Sequence, residues 1–166
     1  KGLDVLLEAL SILRSRNCFE FHLDCYGAGD FSRYRKMAKN FTLGNITFNG
    51  PVYGVEKFQI IAKSEILILP SLNEGQPLIL LEAMSMGTPV VATRVGVVEE
   101  MLGANYPYLS RPGNPTELAN VILLAKNMKN RKLISKKLTE RFRNNYSIYQ
   151  HELMLNEIFK THVASN

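Results

Sequence analysis

The sequence predicts an α/β domain built on a doubly wound parallel sheet. Three observations carry that expectation. Short apolar runs alternate along the chain with stretches of helical periodicity. Two of the runs, Ile66–Leu69 and Val90–Ala92, are continuously apolar, as strands buried on both faces are. The first helix opens at Gly2 with no strand before it. In a doubly wound sheet the first strand is central, so a strand is expected upstream of Lys1 or from another chain.

Gly2 to Arg16 reads as an amphipathic helix, with Leu3, Leu6, Leu7, Leu10 and Leu13 at helical spacing. Phe19–Tyr26 alternates Phe21, Leu23 and Cys25 against His22, Asp24 and Tyr26, and reads as a strand. Gly27-Ala28-Gly29-Asp30 then turns into a helix, Phe31–Phe41. It is not a dinucleotide fingerprint: Ser32 replaces the third glycine, and the next strand, Ile46–Phe48, ends in Asn49-Gly50 without the expected acid. The loop Asn49–Gly54 leads to a helix, Val55–Ser64, with Phe58 and Ile61 or Ala62 inward. Ile66–Leu69 and Val90–Ala92 are the third and fourth strands, and Tyr108–Leu109 is the fifth. Asn114-Pro115-Thr116-Glu117 is a helix start with Asn as cap, Pro first and Glu third. Leu118–Asn127 follows, with Leu118, Val121, Ile122 and Ala125 inward, and the basic segment and Ser147–His162 form the last helices. No repeat or second domain is visible, so residues 1–166 are read as one domain.

The chemistry concentrates between Ser71 and Thr93. A loop, Ser71–Gln76, precedes an apolar helix in which Pro77 is expected as the first residue and Gly87 as the terminator. Glu74 lies just before the helix and Glu82 inside it, among Leu80, Leu81, Ala83 and Met84. A buried carboxylate without a donor costs several kcal/mol, roughly that of a broken buried pair. No Lys or Arg lies within one helical turn of Glu82, so its donors come from a loop amide, a distant arginine or a ligand. The free N–H groups of Gly75, Gln76 and Leu78, on either side of Pro77, with the positive end of the helix dipole, make an anion site suited to phosphate. Together these features point to a ligand carrying phosphates and several hydroxyls.

Glu74-Gly75-Gln76-Pro77-Leu78-Ile79-Leu80-Leu81-Glu82-Ala83-Met84, followed by Gly87-Thr88-Pro89-Val90-Val91, closely resembles the Glu-x7-Glu signature of family 4 retaining glycosyltransferases. The resemblance implies a Rossmann-like domain, the C-terminal half of the GT-B fold, preceded by an N-terminal acceptor-binding domain. It places the absent strand between those at Phe21 and Ile66. It implies a nucleotide-diphosphate sugar as donor, with Glu74 on the sugar hydroxyls, Glu82 on the ribose diol and Val52 reading the base edge by its backbone. Lys1 and the Gly75–Leu78 amides would stabilise the departing diphosphate, with no metal and no covalent nucleophile. Where the family has Gly-Gly-x-Pro-Glu, this chain has Gly96-Val97-Val98-Glu99-Glu100. Val97 therefore stands where a second glycine would let a backbone approach.

Composition narrows the alternatives. No apolar run reaches the roughly 20 residues of a membrane span, and Lys1-Gly2-Leu3-Asp4 does not read as a signal peptide. Two cysteines, Cys18 and Cys25, lack a metal-ligand spacing and fit a reducing, cytoplasmic compartment. The formal net charge is +5, with eight basic residues and one acid between Lys126 and Arg143. That stretch reads first as a solvated helix face and second as a contact for anionic lipid at the inner membrane face. Nucleic acid is not expected, because no aromatics interleave with the basic residues. The expected function is hexosyl transfer to a glycan or lipid-linked acceptor, the isolated chain being inactive. The alternatives are a GT-B nucleotide-sugar epimerase and a non-catalytic binding domain. His22, expected as an ordinary strand residue, and His151, expected on a solvent-facing helix, are poorly placed for epimerase acid–base work.

Overall fold

The computed structural model describes residues 2–17, 20–150 and 152–155. Lys1, Cys18, Phe19, His151 and the stretch 156–166 lie outside them, and so do the expectations for those residues. The order is α1 (Leu3–Ser15), β1 (Leu23–Tyr26), α2 (Ser32–Asn40), β2 (Ile46–Asn49), α3 (Gly54–Lys63), β3 (Leu67–Leu69), α4 (Leu78–Met86) and β4 (Val90–Thr93). α5 (Val98–Leu102), β5 (Leu109–Ser110), α6 (Pro115–Lys126) and α7 (Arg131–Asn145) complete it. α5 was not expected; at five residues it is too short to show a helical period.

All strand pairs are parallel, in two groups: β1 with β2, and β3-β4-β5. Among the described residues no ladder joins β1 to β3. Direct pairing of β1 with β3, which would have excluded the expected interval, is therefore absent among them. Leu23 N–H donates to Asn45 C=O and Leu67 N–H to Pro89 C=O, each at 2.9 Å. Because strand groups alternate sides, the amides of Asp24, Tyr26 and Ile68 face the interval.

Side-chain alternation splits the core in two. Val91, Ile66 and Ile68 join α1, α2 and α6 on one face, where Leu6, Leu7, Leu10 and Leu13 of α1 are buried as expected. Val90, Ala92, Leu67 and Leu69 join α3, α4, α5 and α7 on the other. β1 and β2 contribute only to the first cluster, and Tyr26 is 42% exposed. Burying each of these leucines contributes about 1.5–3 kcal/mol.

Four expectations need correction. Pro77 is not the first helical residue but the N-cap, with ψ 107°, and its carbonyl accepts from Leu80 N–H at 3.0 Å. β3 is half-buried rather than buried throughout, because one of its edges faces the interval. In α3 only Ile61 is buried, while Phe58 and Ala62 are exposed. β1 also begins at Leu23, where Ile46 first offers a partner. Asn114 caps α6 as expected, its Oδ1 accepting from Glu117 N–H at 2.9 Å. The Glu117 carboxylate turns instead to Arg111, which holds it below the usual carboxylate range.

Candidate active site

In open parallel sheets, ligands bind beyond the carboxyl ends of the strands, where the strand order reverses. Here β1 pairs with β2, and β3, β4 and β5 follow one another in the second group; the loop after β3 carries Glu74 beyond a carboxyl end.

Two glycines seat the surrounding backbone. Gly2, the N-cap of α1, has φ 81°, and a Cβ there would collide with the Pro70 carbonyl oxygen at the end of β3. The N-terminus of α1 is thereby held beside the Glu74 loop. Gly96 has φ 51°, and a Cβ there would collide with the Glu74 carbonyl oxygen. The close approach is thus made by Gly96. Val97 takes φ −91°, ψ 8°, which needs no glycine, so the expected difficulty at this position does not arise for that residue's own backbone.

Glu74 is half-buried. Its Oε1 accepts from Ser71 Oγ at 2.6 Å, and Thr93 Oγ1 donates to the Ser71 carbonyl at 2.5 Å. Gly75 and Gln76 are exposed, and Pro77 is buried. Pro77 has no N–H, so the donors of this segment belong to Gly75, Gln76, Leu78 and Ile79. Among the described residues none of those four donates to a backbone carbonyl outside α4, which leaves them open to an anion. Leu78 itself is 68% exposed.

Glu82 has a partner that the sequence did not show. Lys57 Nζ of α3 meets Glu82 Oε1 at 2.5 Å, with both side chains largely buried. Lys57 also lies 5.6 Å from the Phe58 ring centroid. The pair crosses 25 residues of sequence, beyond any local spacing. Val52 is half-buried in the loop after β2, and neighbouring Tyr53 is 73% exposed, without a packed partner face. Asn49, at the end of β2, buries its Nδ2 without a hydrogen-bond partner.

The remaining titratable groups stand apart. His22 meets Asp24 and Thr47 on the exposed side of β1 and β2. Burial, and secondarily Asp24, pushes the Cys25 thiol up to about 11, which leaves it protonated and inert as a nucleophile. No group of three or more metal-ligating side chains occurs among the described residues. No helix there is long and apolar enough to cross a membrane.

This sheet, with its helices and its loop of carboxylate and free amides, is the α/β half found in GT-B glycosyltransferases. Anabaena Alr3699/HepE, solved in complex with UDP, superposes over 97% of this chain and 45% of its own, with TM-score 0.83 and 20% identity. An uncharacterized glycosyltransferase of Methanocaldococcus jannaschii, MJ1178, is 32% identical over 128 residues, 74% of this chain and 34% of its own length. The amylovoran biosynthesis glycosyltransferase AmsK of Erwinia amylovora is 30% identical over 131 residues, 74% of this chain and 32% of its own. The chain thus spans about a third of these relatives. The family model for group 1 glycosyl transferases matches residues 1–126, and the chain belongs to that family.

Proposed function

We propose that this chain binds the nucleotide-diphosphate sugar donor of a retaining hexosyltransferase. The observation that carries the proposal is the Glu74 loop: a carboxylate held in place beside four N–H donors unused among the described residues, beyond the carboxyl end of β3. Glu74 holds donor-sugar hydroxyls, Glu82 the ribose diol, and the Val52 backbone the base edge. Departure of the leaving group puts charge on the diphosphate. The amides of Gly75, Gln76 and Leu78, joined by Lys1, stabilise that charge without a metal. The UDP bound by the Anabaena neighbour supports a nucleotide donor. The relative named for amylovoran biosynthesis supports transfer into a polysaccharide. An N-terminal acceptor-binding domain is the partner, and the compartment is the cytoplasm.

The Lys57–Glu82 pair favours one second reading, a non-catalytic domain in which Glu82 only joins α3 to α4. The test is transfer by the intact enzyme carrying this chain, with labelled UDP- and GDP-sugars and anomeric configuration read by NMR. Transfer with retention supports the proposal; inversion, epimerised donor or no turnover contradicts it. The isolated chain is expected to bind nucleotide and transfer nothing.

A further inference from the structure

Four polar residues are buried among the described residues: Ser71, Thr88, Thr93 and Ser110. Thr88 is accounted for by the Ile61 carbonyl, to which it donates at 2.8 Å. The other three sit at the carboxyl ends of neighbouring strands, just after β3 and at the last positions of β4 and β5. A buried hydroxyl costs stability unless it is bonded, so a row of them where Ala or Val would pack calls for a reason.

We propose that Ser71 and Thr93 are positioning residues that aim the Glu74 carboxylate at the donor sugar. The inference rests on the reading of Glu74 given above. Thr93 Oγ1 fixes the Ser71 carbonyl at 2.5 Å, and Ser71 Oγ then donates to Glu74 Oε1 at 2.6 Å. Gly96 closes on the Glu74 backbone from the other side. The carboxylate is therefore held at one oxygen by a neutral donor. No cation pairs with it among the described residues, in contrast to Glu82 and its lysine. Its charge and its Oε2 remain available to sugar hydroxyls, and the hydroxyl pair removes the rotamer freedom that binding would otherwise have to restrain. Ser110, directly across the ladder from Thr93, has an Oγ with no partner and touches nothing in this chain of bonds.

The experiment measures affinity for UDP against UDP-glucose and for GDP against GDP-mannose, and reads the gain due to the sugar. Glu74→Gln should abolish the gain. Ser71→Ala should cut it by roughly tenfold, as loss of a hydrogen bond to a charged group does, and Thr93→Val should lower it by freeing the Ser71 backbone, with affinity for the bare diphosphate unchanged in both. Ser71→Thr should preserve it, and Ser110→Ala should leave every affinity unchanged. Ser71→Cys, isosteric but a weak donor, takes the place of alanine if alanine unfolds the loop. If Glu74→Gln abolishes the gain while the Ser71 and Thr93 variants keep it, the positioning role is overturned and the reading of Glu74 stands. If Glu74→Gln also keeps it, or neither nucleotide pair shows a gain, both fall together.

Discussion

Gly96 shows how much one residue decides here. Its left-handed φ and the contact with the Glu74 carbonyl both exclude a side chain. Gly96→Ala is expected to destabilise the fold by about 2 kcal/mol or more, read by urea denaturation, because strain and collision add. Unchanged stability would mean that the loop does not rest on Gly96. The sequence marked this stretch through its motif but put the close approach at position 97, one residue past Gly96, whereas Glu74 and Glu82 stood out directly. The Lys57–Glu82 pair was not, since a contact across 25 residues leaves no local spacing to read. Ser71 and Thr93 were equally hidden: a hydroxyl in a loop or at a strand end carries no mark of whom it bonds.

Elements were legible where their patterns are long. The leucine stripe of α1 and the cap of α6 are where the sequence puts them. Boundaries moved where a neighbour decides them, as at Pro77 and at the start of β1. The basic stretch is more structural than its charge suggests. Lys126 and Arg131 both reach Glu65, and Arg141 donates to the Glu100 and Met101 carbonyls at the end of α5. Lys136 pairs with exposed Glu140, at 3.7 Å. A solvated face then remains, and binding to anionic vesicles is expected to be negligible at physiological salt, where the Debye length is about 8 Å. Salt-sensitive vesicle binding that vanishes on neutralising Lys136 and Lys137 would instead establish a lipid contact.

At the scale of the whole molecule, alternation of strands and helices made the parallel sheet legible, and the interval between β1 and β3 follows from the same count. It has a measurable consequence: the amides of Asp24, Tyr26 and Ile68 should exchange with solvent faster than those of Cys25 and Leu67, which are paired. Equal protection would mean that something closes the interval. Beyond the carboxyl end of β3, this chain is expected to bind a nucleoside diphosphate through Glu82 and the Glu74 loop. The most direct measurement is a calorimetric titration of UDP and GDP against the chain and its Glu82→Gln variant, beside melting curves of both. The account predicts that one nucleotide binds and that the variant, still folded, loses roughly 1–3 kcal/mol of affinity. A lowered melting temperature with unchanged affinity would contradict it, and would leave Glu82 only a strut between α3 and α4.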